Sequence, residues 1–208
     1  MKTATKLLFA TVSLALITAC GGGSSGGGGA AISSVPLQTA FKNIYANAWT
    51  ASGAITGTKN VISNSCNGGN GGSCNVAASG NFSRSATFNG LTATVNYAQM
   101  LEGQGLNSTY TGIFANDYSS IGLNNCSLNL PVTVNVGYLQ VATCGNAVTV
   151  NVTSYTTNQA LLTISGLSVG TETYGISADG SVTPIATKRT GTLIPAWTLV
   201  SFNVSLNY

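Results

Sequence analysis

Ser168 is the residue whose setting most invites a chemical reading. It sits in Gly166-Leu167-Ser168-Val169-Gly170, which fits the G-x-S-x-G pattern of a nucleophile elbow. That chemistry needs a base, usually histidine, to take the serine proton, and a strand-turn-helix to expose it. The chain contains no histidine, and Thr171 onward reads as strand. The pattern therefore predicts a Gly/Ser turn between two strands.

Other constellations fail on similar grounds. Cys66, Cys74, Cys126 and Cys144 lack the tight paired spacing of a structural zinc site. The run Gly68-Gly69-Asn70-Gly71-Gly72-Ser73 has neither the aspartates of a glycine-rich calcium repeat nor the lysine of a phosphate loop. Paired-carboxylate chemistry would draw on Glu102, Asp117, Glu172 and Asp179. Asp117 and Asp179 stand in turn contexts, which leaves a Glu102–Glu172 pair as the one arrangement that could support a hydrolase. A lysine base needs burial to depress its pKa, whereas Lys42, Lys59 and Lys188 lie on a polar helix position, near a loop and beside Arg189. The expectation is no catalytic residue, no metal, no cofactor and no enzymatic turnover.

The cysteines point instead to oxidation. Of five, Cys20 follows an apolar run near the N-terminus, which leaves an even set of four in an exported chain. Three pairings are possible. Cys66–Cys74 with Cys126–Cys144 is preferred because each closes a local loop, the second provided that Gly137 breaks the strand leading to Cys144. The chain-entropy model gives roughly 2–3 kcal/mol for closing the first loop.

Composition bounds the rest. Charged residues make up 5% of the chain, yet it is too apolar and β-branched to be disordered. Beyond the N-terminal segment the bases are Lys42, Lys59, Arg84, Lys188 and Arg189, against the four acids named above. No basic patch exists to neutralise phosphates, so nucleic acid and anionic lipid headgroups are excluded as partners recognised by charge.

The elements that must position these residues follow from periodicity. Leu37, Phe41, Ile44, Tyr45 and Ala48 share one helical face after Pro36, which predicts an amphipathic helix of about twelve residues. From Thr50 the period changes to two. Turns are predicted at Asn89-Gly90, Asn116-Asp117, Gly145-Asn146 and Asp179-Gly180, and Val132, Val134 and Val136 are expected to line one strand face. The fold class is mainly β: eight to eleven strands in an antiparallel β-sandwich or a strongly curved sheet or open barrel, with one N-terminal amphipathic helix. The alternating end Phe202, Val204, Leu206, Tyr208 resembles the terminal strand of outer-membrane barrels, although an ordinary sandwich strand is the preferred reading.

At the N-terminus, Lys2 and Lys6 precede an apolar run from Leu7 to Ile17, too short for a transmembrane helix. The following Ile17-Thr18-Ala19-Cys20 resembles the lipobox of bacterial lipoproteins. That resemblance implies a signal peptide over 1–19, acylation of Cys20 (the palmitate-type anchor of such proteins) and a Gly/Ser-rich tether over 20–35. A single β-rich domain then spans 36–208. Gly21 in place of aspartate implies the outer membrane rather than the inner, with the body periplasmic or surface-facing. The stretch Tyr174–Ile185 is similar to a segment in uncharacterised β-rich lipoproteins of Gram-negative bacteria, a group that implies no activity. The expected function is a lipid-anchored cell-envelope protein with a non-enzymatic binding or structural role. The alternative is a carrier of an apolar ligand or lipid inside a curved sheet, with an envelope hydrolase third. The expected partners are the membrane, through Cys20, and an envelope protein or apolar ligand.

Overall fold

The computed structural model of the chain describes residues 31–47, 49–62, 66, 72–193 and 199–208. The expected signal segment, Cys20, the expected tether up to Ala30, Ala48 and residues 67–71 between Cys66 and Cys74 lie outside the described residues.

A two-residue strand β1 (Ser34–Val35) comes first, so the body begins two residues before Pro36; Val35 is fully buried, which a tether residue would not be. Next is α1 (Leu37–Phe41), whose axis continues as a π-helical turn over Lys42–Ala46. The helical segment is ten residues long rather than twelve. Its predicted face is the buried one, with Leu37, Phe41, Ile44 and Tyr45 all at 1% exposure or less. The wider winding, marked by the bond from Asn47 N to Lys42 O at 3.1 Å, lets the adjacent Ile44 and Tyr45 both face inward.

The strands are β2 (Thr50–Ile62), β3 (Ser73–Asn89), β4 (Thr92–Leu101), β5 (Gln104–Gly105), β6 (Ser108–Phe114), β7 (Ser120–Leu123), β8 (Cys126–Asn129), β9 (Val134–Asn135), β10 (Leu139–Ala142), β11 (Val148–Ser154), β12 (Ala160–Leu167), β13 (Gly170–Ile176), β14 (Val182–Leu193) and β15 (Leu199–Asn207). Thirteen of them form one antiparallel sheet in the order β10-β11-β12-β13-β14-β15-β2-β3-β4-β6-β7-β8, with β5 beside β4. The sheet curls into a nearly closed barrel, the curved alternative rather than the sandwich. Fifteen strands form among the described residues, more than the eight to eleven expected; one of the additional strands is β8, which follows a two-residue turn at Asn124-Asn125, both at positive φ (50° and 65°).

The sheet closes at two places. C-terminal β15 pairs with β2 over nine residues, Leu199 opposite Ile62 through Asn207 opposite Ala54. The edge strands β8 and β10 meet across a seam held by side chains. Cys126 on β8 forms a disulfide with Cys144 just past β10, with Cα atoms 5.3 Å apart. With its amide oriented to satisfy both polar atoms, Gln140 donates to Asn129 O and accepts from Asn129 N, each at 2.9 Å. Cys66 and Cys74 form the other expected disulfide, Cα–Cα 5.5 Å. The Val132–Val136 stretch is not a strand of this sheet. Val132 is 70% exposed, and only Val134–Asn135 pairs, with β1. Pro131 removes a donor just before it, and Gly137, at φ 98°, turns the chain back toward β10.

Antiparallel order sorts the connections to two ends. β1, α1, the C-terminal Tyr208 and the β3–β4, β6–β7, β11–β12 and β13–β14 turns share one end. The β2–β3, β7–β8, β10–β11 and β12–β13 connections, with both disulfides, share the other. The apolar face of β15 points inward: Phe202, Val204 and Leu206 are buried, while Ser201, Asn203 and Asn207 are exposed. That is the reverse of an outer-membrane barrel, whose apolar band faces out. Among the described residues, no helix is long and apolar enough to cross a membrane.

Candidate functional site

Period-two alternation decides what enters the barrel. On β7, β8, β11 and β12 the inward residues are aliphatic apart from the disulfide-bonded Cys126, and include Ile121, Leu128, Val150 and Leu162, all at 1% exposure or less. Elsewhere the same parity delivers polar groups: Arg84 from β3, Tyr97 and Gln99 from β4, Tyr110 from β6, Glu172 and Tyr174 from β13, Thr187 from β14. Register brings them level, since Arg84 lies opposite Tyr97 and Thr187 opposite Glu172. Tyr45 descends into the same layer from the π-helical turn.

Glu172 is fully buried at the centre of these groups. Its Oε1 accepts from the hydroxyls of Tyr97 (2.6 Å) and Tyr110 (2.7 Å), and its Oε2 from Tyr174 (3.0 Å) and Tyr45 (3.2 Å). A carboxylate offers about four acceptor sites, and here four phenols fill them. Because Tyr97 has one proton and gives it to Glu172, its contact with Tyr208 Oη (2.7 Å) must run the other way. Thr187 Oγ1 lies 2.9 Å from Tyr208 Oη, so the donors line up as Thr187, Tyr208, Tyr97, Glu172. Burial, and then the Glu172 charge, hold the Tyr45, Tyr97, Tyr110 and Tyr174 phenols well above their ordinary pKa and push Tyr208 up to about 12. The cage thus consists of neutral donors around one acceptor.

Arg84 is the buried cation of this layer, at 1% exposure. Its guanidinium carbon stacks 3.7 Å from the centre of the Trp49 ring, and Nη2 donates to Ile44 O at 3.5 Å, a carbonyl that also accepts from Trp49 Nε1 at 3.0 Å. Ile44 lies in the last helical turn, where unpaired carbonyls favour a cation. Burial works to lower the Arg84 pKa, but Tyr174, Glu172 and the other phenols outweigh it and the net shift is upward. Its Nε and Nη1 have no hydrogen-bond partner among the described residues.

Beside this layer, a cleft of about 480 Å³ opens at the α1 end between the helix and the β13–β14 turn. Its walls are Asn43, Ile44, Asn47, Trp49, Tyr174, Ser181, Val182 and Pro184. Asn43 fixes the helix to the turn by donating to Gly180 O at 2.8 Å. Gly180 has φ +83°, and a Cβ there would meet Thr39 at 2.7 Å, so this close approach requires glycine.

The residues weighed from sequence are scattered. Glu102 is at the surface in an ion pair with Lys59 (2.9 Å), whereas Glu172 is enclosed by tyrosines, so the two do not converge. Asp117 and Asp179 serve their turns, Asp117 accepting from Ser119 Oγ (2.7 Å) and N (3.0 Å) and Asp179 from Ser181 N (2.9 Å), and those bonds lower both pKa values. Ser168 is exposed in a strand-turn-strand. It shares a polar groove of about 380 Å³ with Lys188, but its hydroxyl donates to Thr109 O at 3.4 Å. Among the described residues no cluster of acids and cysteines is arranged to hold a metal. The tyrosine cage and Arg84 were not foreseen. The available signal was parity: Glu172 is in phase with Tyr174 and Ile176, and Arg84 with Phe82 and Ala86. Comparison with protein-family models, with curated proteins and with solved structures returned no match.

Proposed function

We propose that this chain is a lipid-anchored cell-envelope protein, acylated at Cys20 and held at the outer membrane, which acts by binding or structural contact at its surface and not by catalysis. One observation carries the reading: the barrel interior is filled by side chains of the chain itself, and its buried carboxylate already serves four phenols. A filled interior supports contact through the outer faces and ends over transport of an apolar cargo inside.

Intact mass spectrometry of the native protein tests this. The expected product lacks residues 1–19, carries acyl mass on Cys20 and brings no further lipid. A stoichiometric lipid released on denaturation would favour the carrier reading instead. Turnover of an ester, glycan or peptide substrate that is lost in Ser168→Ala or Glu102→Gln would overturn the non-enzymatic reading.

A further inference from the structure

We infer that the cleft beside the helix is a binding site for a small amphiphile with an apolar body and one anionic group, the anion being drawn by Arg84. Its volume of about 480 Å³ is in the range of small-molecule sites, roughly 300–1,000 Å³. Ile44, Trp49, Val182 and Pro184 supply an apolar shelf, and Asn47 and Ser181 place an amide and a hydroxyl at its rim. No acidic residue is among the described residues that line it. Asp179, in the adjoining turn, spends Oδ1 on Ser181 N.

The sign of the ligand follows from what lies behind the shelf. Trp49 and Ile44 are walls of the cleft and also contact Arg84, Trp49 through its ring and Ile44 through its carbonyl. Two nitrogens of the Arg84 guanidinium, Nε and Nη1, have no hydrogen-bond partner among the described residues. Glu172 does not use them, because its acceptor sites are filled by the four phenols. A buried guanidinium with free donors attracts a carboxylate or similar oxyanion, and a charge-assisted bond there is stronger than a neutral one. Trp49 is only half-buried and immediately precedes β2, so a shift of its ring would open a route from cleft to guanidinium. This inference is independent of the lipid anchor, since every residue in it belongs to the folded body.

The test compares two isosteric probes, 4-phenylbutyrate and its neutral amide, on the full chain by ligand-observed NMR and Trp fluorescence. The acid should bind saturably and about tenfold more tightly than the amide. Val182→Trp, which fills the shelf from the turn side, should abolish binding of both. Arg84→Lys keeps the charge but loses the fork of donors, and should reduce the preference for the acid severalfold. The acid/amide ratio of the unaltered protein decides the matter even where Arg84→Lys fails to fold. Equal affinity for the two probes, saturable binding that survives Val182→Trp, or no saturation by 4-phenylbutyrate at millimolar concentration would each overturn the inference.

Discussion

The two sides of the barrel interior solve the same packing problem with different chemistry. Facing β7, β8, β11 and β12, side chains such as Ile121, Leu128, Val150 and Leu162 need only exclude water and fill space. Facing β3, β4, β6 and β13 to β15, Glu172 has to meet four hydroxyls at 2.6–3.2 Å, and Arg84 has to meet a helix-end carbonyl. Burial of apolar area is non-directional, so the aliphatic side tolerates exchange of similar volumes. The caged side depends on geometry, because an unmade bond to a buried charge costs far more than a made one gains. The difference separates a region that supplies stability from one that selects a single arrangement of strands.

The comparison can be broken by pH, where the largest effect is expected. The cage phenols have folded pKa values raised above the unfolded value of about 10. Their contribution is fully present below pH 10. Above it the unfolded chain sheds protons that the native state retains, so stability falls as pH rises through the folded values. Absorbance near 295 nm should show these five phenols ionising together with the loss of strand circular dichroism. Ionisation of all five while that signal stays native would sink the account of the cage.

A conservative change on each side sharpens the contrast. Glu172→Gln presents amide hydrogens to hydroxyls that themselves donate, and should cost about 3–5 kcal/mol in urea denaturation, as expected for breaking a buried charge network. A loss under about 1 kcal/mol would mean the cage is incidental. On the aliphatic side, Leu162→Ala should cost about 2–5 kcal/mol but Leu162→Met less than about 1.5. If Leu162→Met proved as damaging as Glu172→Gln, the two sides would not differ in kind. The smallest effect should come from Tyr208→Phe, which removes the middle hydroxyl of the donor line. It leaves Tyr97 still bonded to Glu172, for a cost of about 0.5–1.5 kcal/mol.

The seam adds a second contrast, between closure by backbone and closure by side chains. At β15–β2 a nine-residue ladder joins the two ends of the chain. At β8–β10 the Cys126–Cys144 disulfide and Gln140 do that work. Hydrogen exchange should therefore find β8 and β10 less protected than β2 and β15, with the gap widening on reduction. Equal protection under reducing conditions would show that the disulfide contributes nothing to closure.

Much of this fold was legible in the residues. Alternation marked the long strands, and the helical face Leu37, Phe41, Ile44, Tyr45 is the face that is buried. Local loop closure gave both disulfides, and turn chemistry at Asp117, Asp179 and Gly180 behaves as those residue types dictate. These features are local, and neighbouring residues along the chain are enough to decide them.

What the chain order could not decide is which distant strands become neighbours. Alternation assigns Glu172 to an inward face, but its partners Tyr45, Tyr97 and Tyr110 lie 127, 75 and 62 residues away. They meet only because β15 zips onto β2 and the sheet curls until its edges touch. The same closure turns Arg84 from one charged residue on a strand into a buried guanidinium behind the cleft. By itself the sequence determined the helical face, the long strands with their inward faces and the covalent staples; the tertiary structure alone decided the cage and the cleft, because non-local pairing carries a loop-closure cost that only the completed barrel repays.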